Sequence, residues 1–216
     1  MWPIRSAKVR EFIWVLIIAL LIVGIGMINP KQCQAQEIPA AAHKHRADLV
    51  RAAHLAWGLD APIATMAAQV HQESGWNPSA VSRVGAKGLA QFMPATADWI
   101  GGIEPELAAR QPDNPVWALR ALVTYDKWLW DRMVAVTPCD RMAMVLSGYN
   151  GGAGWVQRDK ALAARAGDDR NRWWGSVEHY NAGRSAAAWQ ENRGYPVRIL
   201  RVLEPRYAAW GKGSCA

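Results

Sequence analysis

Apolar residues recur at helical spacing along most of the chain. Residues 47–57 place Leu49, Ala53 and Ala56/Trp57 on one face of a helix. A second helix is expected next, capped by Asp60 and with Pro62 in its first turn. This spacing predicts an amphipathic pair of helices that begins near residue 47.

The same periodicity continues downstream and defines the fold class. Further helices are predicted at 94–100, 115–134, 140–148, 158–166 and 196–210. Apolar and polar residues never alternate long enough to predict a sheet of any size. The sequence therefore predicts a mainly α-helical protein with one globular domain at 47–211.

An uncharged apolar run at 13–28, which Phe12 extends by one residue, precedes that domain. Basic residues come before it in the segment 1–11, the flank expected on the cytoplasmic side of a membrane, so the remainder is expected to be exported. The run at 12–28 is interpreted as a signal-anchor in the inner membrane or as a signal peptide cleaved after Ala35. The protein is accordingly expected on the periplasmic face of the inner membrane or free in the periplasm, with 29–46 as a linker.

Charge, motifs and cysteine content limit the classes of partner and cofactor that are expected. The net charge of +7 fits nucleic acid, anionic lipid or a carboxylate-bearing cell-wall polymer. No nucleic-acid-binding motif supports the first of these. No CxxC, HExxH or similar spacing predicts a metal, and no cofactor is expected. In an oxidising compartment, Cys139 and Cys215 are a plausible disulfide pair. A monomer is expected.

Glu73 is the most informative single residue. It continues the apolar stripe of Met66 and Val70 on the second predicted helix, which would press its carboxyl toward the interior. Desolvation favours the protonated form of a carboxyl, and a carboxyl protonated near neutral pH suits general-acid catalysis. A glutamate at a helix end is nevertheless more often structural, so this position alone leaves both interpretations open.

The residues after Glu73 resemble a known family. Glu73-Ser74-Gly75 and the stretch 85–97 (GAKGLAQFMPATA) are similar to the signature of the soluble lytic transglycosylases, whose domain is related to goose-type lysozyme. Residues 146–152 (LSGYNGG) resemble their tyrosine-asparagine segment, with Gly148 where alanine is usual. Residues 191–195 (ENRGY) resemble a late segment, with departures at Asn192 and Pro196. Three motifs occur in the family's order, and the likeness covers about 48–210.

The resemblance implies a lysozyme-like α-helical domain that cleaves peptidoglycan glycan strands, with Glu73 as the single catalytic acid and base. It also implies that a set of further residues lines the glycan site: Ser74, Ser82, Gln91, Met93, Tyr149, Asn150, Glu191 and Tyr195. Tyr180-Asn181 is a rival for the tyrosine motif. Trp76 is considered for the groove, with core packing as the equal alternative.

The signature contains no second acid, whereas most glycosidases use two carboxylates. This favours a lytic transglycosylase, which cleaves the bond between N-acetylmuramic acid and N-acetylglucosamine and closes a 1,6-anhydro ring. Two alternatives stay open at this point. One is a muramidase that hydrolyses the same bond, and the other is a membrane-tethered peptidoglycan-binding protein without activity.

Overall fold

The computed structural model describes residues 37–215, and its first helix, α1, spans Ala40–Trp57. The expected linker at 29–46 is therefore wrong from residue 40 onward, because α1 begins directly after Pro39. Alanine is the strongest helix former, so the run at 40–42 extends the helix without an amphipathic signal. Ala42 is fully buried beside Leu49 and Ala53 on the inner face of α1.

Helix α2 spans Ile63–Ser74 and begins after Pro62, with no side-chain cap. The predicted cap at Asp60 is wrong. Two residues separate Asp60 from the first turn, and its carboxylate instead lies 3.1 Å from Nζ of Lys212. All residues from Ile63 to Val70 are buried, so α2 is the central helix of the core.

Of the five remaining α-helices within residues 37–215, the first four correspond to predicted segments with shifted ends, and the last lies almost entirely outside the predicted segments. They are α3 (Pro94–Ile103), α4 (Pro115–Arg132), α5 (Pro138–Gly151), α6 (Ala153–Arg165) and α7 (Ala186–Val197). Short 3₁₀ turns lie at Pro105–Leu107 and Val177–His179. Among residues 37–215 there is no strand, only isolated bridges at Val81–Lys87 and Lys87–Phe92.

The predicted helix at 196–210 is not one α-helix. Residues Arg198–Leu203 form a π-helix and Glu204–Trp210 a 3₁₀-helix, following Pro196 at the end of α7. Proline lacks the amide that an α-turn needs, which accounts for the change of helix type near Pro196 and again at Pro205.

The helices pack in two groups that share the core. Helix α1 packs on α4, and α2 packs on the π- and 3₁₀-helical segments. Helix α5 contacts α4, α6 and α7. A disulfide joins Cys139 at the start of α5 to Cys215, which confirms the plausible pairing.

The membrane prediction concerns residues that the structure leaves undescribed. Over residues 37–215, every helix is too short or too polar to cross a bilayer. The apolar run at 12–28 lies outside the described residues.

Candidate active site

Glu73 lies in the last turn of α2, where the central helix emerges from the core. The helix ends at Ser74 and is followed by Gly75, whose φ of 60° is left-handed and is available to glycine at little cost. The chain therefore turns sharply after the carboxyl, and the loop 76–93 folds back over one side of it. This places Glu73 at the junction of a buried helix and an open cleft.

Two cavities meet at Glu73 and Asn150. The first has a volume of about 270 Å³, and the second one of about 310 Å³. The first is lined by Glu73, Ser82, Val84, Ala86, Gln91, Phe92, Met93, Thr96, Tyr125, Tyr149 and Asn150. The second is lined by Gln72, Glu73, Asn150, Glu191, Gly194, Tyr195 and Arg198. Together these two cavities form one cleft.

The carboxyl of Glu73 is set up to hold a proton near neutral pH. Burial raises its pKa to about 7, the Tyr195 hydrogen bond opposes the rise, and the charge of Glu191 adds to it. The residue keeps some exposure at the cleft surface, but protein surrounds its carboxyl group. Within residues 37–215, Tyr195 is the one side chain that donates a hydrogen bond to it. A carboxyl with a pKa near 7 can both give and take a proton at neutral pH.

Tyr149 closes the wall of the cleft beside the loop. Its hydroxyl donates to the carbonyl of Ala90 at 2.7 Å, and its ring packs edge-on against Phe92. Burial and the nearby Glu73 hold the pKa of Tyr149 well above its usual value. The residue is therefore a neutral hydrogen-bonding group. The rival Tyr180 bonds to Asp168 and lines neither cavity of the cleft, so the structure favours Tyr149 for the motif.

The loop that carries Gln91 is fixed by close backbone contacts. At Gly88, φ is +75° and an added Cβ would lie 1.8 Å from the carbonyl oxygen of Pro112, so only glycine fits. Gln91 has a positive φ of 48°, and its Nε2 donates to the carbonyls of Ala80 and Gly88. This geometry holds the Gln91 side chain at the cleft with its amide nitrogen occupied.

A second polar cluster lies across the cleft on α5 and α7. Nδ2 of Asn150 donates to Glu191 at 3.4 Å, and Nδ2 of Asn192 donates to Oδ1 of Asn150 at 3.0 Å. Asn192 is buried and is also bonded to Ser147 in both directions. Asn192, which departs from the family's motif, thus links α7 to α5 by hydrogen bonds and orients the Asn150 side chain.

The structure brings seven of the eight predicted binding residues to the cleft. Ser74 is the exception, because its hydroxyl donates to the carbonyl of Leu89 at 2.9 Å and the residue lines neither cavity. Trp76 is not a groove residue either. It is fully buried, and its Nε1 donates to the hydroxyl of Tyr207 at 2.7 Å. The sequence places Trp76 in a loop, and only the packing of that loop against Tyr207 decides that its ring is buried.

Further residues beside Glu73 lie outside the predicted binding set. Tyr125 and Thr96 line the first cavity, and they continue into a third cavity of about 400 Å³ with Trp99 and Trp128. Trp99 is 38% exposed and meets the ring of Trp128 edge-on, so this pair offers aromatic surface to a sugar. Trp99 and Trp128 are among the tryptophans that could stack on sugars, but their helical spacing is equally compatible with core packing, so the sequence does not assign them to the cleft.

No metal-binding group is evident in the described part of the chain: nowhere do three or more His, Cys, Asp or Glu side chains come together in a way that could hold an ion.

The described residues thus form a helical domain with a buried glutamate at a polar and aromatic cleft. Residues 48–171 match the family model of the transglycosylase SLT domain. The chain belongs to this family, which confirms the resemblance found in the sequence.

Curated relatives agree with this assignment over part of their length. The chain is 33% identical over 109 residues to the "Membrane-bound lytic murein transglycosylase F" of Maricaulis maris, covering 50% of this chain and 22% of the relative. It is 34% identical over 158 residues to the protein of that name in Marinobacter nauticus, covering 65% and 30%. The chain thus spans less than a third of these relatives.

Solved structures support the fold. The 70 kDa soluble lytic transglycosylase of Escherichia coli superposes with a TM-score of 0.55 at 22% identity, over 79% of this chain and 25% of that one. A structure of the 70 kDa soluble lytic transglycosylase with bulgecin A gives a TM-score of 0.53 at 23% identity, over 78% and 25%. The likeness confirms the predicted lysozyme-like helical domain.

Proposed function

We propose that the protein is a peptidoglycan lytic transglycosylase in which Glu73 acts first as acid and then as base. The observation that carries this proposal is the carboxyl of Glu73, which has a pKa near 7 and opens onto a cleft between α2, α5 and α7. Membership of the transglycosylase SLT domain family supplies the substrate class.

In the first step, protonated Glu73 gives its proton to the oxygen between N-acetylmuramic acid and N-acetylglucosamine. The bond from C1 of the muramic acid to that oxygen breaks, and N-acetylglucosamine leaves with a free 4-hydroxyl. The 2-acetamido group of the muramic acid stabilises the cationic C1, as in substrate-assisted glycosidases. Glu73 is now ionised, and Tyr195 stabilises its charge by donating a hydrogen bond.

In the second step, ionised Glu73 takes the proton of the muramic acid's 6-hydroxyl. The 6-oxygen bonds to C1 and closes the 1,6-anhydro ring, and Glu73 returns to its protonated form. Atoms balance without water or a cofactor. A carboxyl with a pKa near the working pH serves both steps, because neither of its protonation states is strongly disfavoured.

The cleft residues are proposed to hold the sugars. Ser82, Gln91, Met93 and Tyr149 line the cavity on one side of Glu73, and Asn150 with Glu191 lies on the other. We assign Ser74 to positioning the loop instead, since its hydroxyl is bonded to Leu89.

One observation favours hydrolysis as a second candidate. Glu191 lines the same cavity as Glu73, so the cleft holds a second carboxyl that could activate water. The candidates differ in their products, since hydrolysis leaves a reducing muramic acid end.

The location is proposed from the sequence and the relatives. The two relatives above are named membrane-bound. We propose that the domain acts on the glycan strands in the periplasm, either anchored through 12–28 or released after cleavage.

The test is digestion of purified peptidoglycan with the full chain, followed by mass spectrometry of the released ends. The proposal predicts 1,6-anhydro ends, and a yield of them lower on the order of 10²–10⁴-fold with E73Q. Reducing ends that disappear in E191Q would establish hydrolysis. If the wild type binds peptidoglycan but releases no fragments, both enzymatic functions are overturned and the protein is a peptidoglycan-binding protein.

A further inference from the structure

A second acid, Asp126 on α4, lies close to Glu73 but plays no part in the steps above. It is only 1% exposed and lines neither cavity of the cleft, although its neighbour Tyr125 does. A fully buried acid beside a catalytic carboxyl requires an explanation, because an unpaired buried charge is strongly unfavourable.

The hydrogen bonding of Asp126 indicates whether its carboxyl is protonated. Nε2 of Gln69 donates to Oδ1 of Asp126 at 3.3 Å. The other oxygen of each group, Oε1 of Gln69 and Oδ2 of Asp126, is buried and finds no partner among residues 37–215. Both atoms are acceptors when the acid is ionised, so neither can satisfy the other.

One proton resolves both deficiencies. An acid protonated on Oδ2 becomes a donor there, and the acceptor left over in the pair is Oε1 of Gln69. A protonated acid and a primary amide can then form a cyclic pair with two hydrogen bonds, and each buried polar atom gains a partner.

The electrostatic surroundings agree. The titratable groups that interact with Asp126 are Glu73 from α2, Tyr149 from α5, Tyr195 from α7 and Tyr125 from α4 itself. All four are acids, so none supplies a positive charge. Burial, followed by the charge of Glu73 and against the bond from Gln69, raises the pKa of Asp126 to about 8.

We propose that Asp126 is a neutral carboxylic acid paired with Gln69, and that Glu73 is therefore the only one of the two neighbouring acids, Asp126 and Glu73, that changes charge during the reaction. An ionised Asp126 would raise the pKa of Glu73 by like-charge repulsion and oppose the acid step, in which Glu73 becomes negatively charged. This second part rests on the proposed function, whereas the protonation of Asp126 does not.

Protonation is tested by infrared spectroscopy. The full-length E73Q protein is compared with E73Q/D126N near pH 6, so that Glu73 contributes nothing to the difference. The carbonyl stretch of one protonated carboxyl should disappear with Asp126. Loss of a carboxylate band in its place would overturn the proposal.

The effect on Glu73 is tested by the pH dependence of glycan cleavage in D126N. The alkaline limb of the pH profile is the range in which activity falls because Glu73 loses its proton. If Asp126 is neutral, this limb should stay within about 0.3 pH unit of the wild type in D126N, since no charge is removed. An ionised Asp126 predicts a limb lower by about one unit, because removal of a nearby negative charge lowers the pKa of Glu73. A shift of that size would contradict the proposal.

A second variant covers the case in which D126N does not fold. Q69L/D126L removes both polar partners together, a change that leaves no buried group unsatisfied. The same unmoved limb is expected. Activity retained by E73Q would refute the proposed function while the infrared result still reports on Asp126. An inactive E73Q with a carboxylate at Asp126 would refute this inference alone.

Discussion

A largely buried glutamate lies at each end of helix α2, and the two glutamates differ in the number of hydrogen bonds that they accept. At the first turn, Glu204 accepts hydrogen bonds from the hydroxyl of Thr65 and the amides of Ser214 and Cys215. At the last turn, Glu73 accepts one from Tyr195 in the described part of the chain. Three donors thus tie Glu204 into the packing, whereas Glu73 has a single donor within residues 37–215 and faces the cleft.

The surroundings reinforce this difference. The Glu204 end is closed by residues 211–215 and the Cys139–Cys215 disulfide. The Glu73 end opens onto the two cavities of the cleft. A larger cavity of about 630 Å³ adjoins the disulfide, but Glu73 does not line it. Cavity size alone would therefore select the wrong end of the helix.

Replacing Glu73 by glutamine should have the largest effect. E73Q removes the general acid, and glycan release should fall on the order of 10²–10⁴-fold. A folded pKa raised to about 7 means that stability is lost as pH rises from about 4.5 to 7. E73Q should therefore be as stable as the wild type at pH 7, or more stable by about 1–2 kcal/mol. Glycan release measures the predicted loss of activity, and thermal unfolding measures the predicted stability. A destabilised E73Q would contradict the proposed difference between the two ends of α2.

Removing the disulfide should affect the Glu204 end. The bond closes a loop with a sequence separation of 76 residues, for which chain entropy gives about 4 kcal/mol. C139S/C215S should lose roughly that much stability in denaturant unfolding. Activity per folded molecule should change little, because neither cysteine lines the catalytic cleft. A stability loss below about 1 kcal/mol would show that the tail is held without the bond.

E204Q should lose stability and keep activity, whereas E73Q should lose activity and keep stability. The amide nitrogen introduced by E204Q would face donors from the backbone of Ser214 and Cys215, which costs about 1–3 kcal/mol. Urea unfolding should show this loss while cleavage by the folded protein is kept. If E204Q instead lost activity at full stability, the assignment of the two ends would be reversed.

The smallest expected effect is that of Y195F on the pH profile. The Tyr195 hydrogen bond lowers the pKa of Glu73, so removing it should raise that pKa. The alkaline limb of cleavage, where the acid loses its proton, should move to higher pH by less than about one unit. Y180F is the matched control, since the Tyr180 hydroxyl bonds to Asp168 away from the cleft. An unmoved limb in Y195F would remove Tyr195 from the mechanism.

The sequence was sufficient for the helical class, the family and the position of Glu73, because each depends on local spacing. Helix ends were harder to predict. Ala40 starts α1 without an amphipathic signal, and the α-helix predicted at 196–210 is π- and 3₁₀-helical from Arg198 onward.

The site shows the same division. Motif residues such as Gln91 and Tyr149 reach the cleft as predicted, whereas Trp76 is buried and Ser74 bonds to the backbone. Asp126 gave no signal at all, because its pairing with Gln69 joins residues 57 positions apart. Contacts of this kind depend on packing, which a local pattern does not contain.

The most direct test of the account is a carbon-13 NMR titration of the Glu73 carboxyl, assigned by its absence in E73Q. Glu73 should titrate with a midpoint near pH 7, as expected for an acid that is buried with one donor. A midpoint near its ordinary value of 4.5 would contradict the account, because Glu73 would then hold no proton to give at neutral pH.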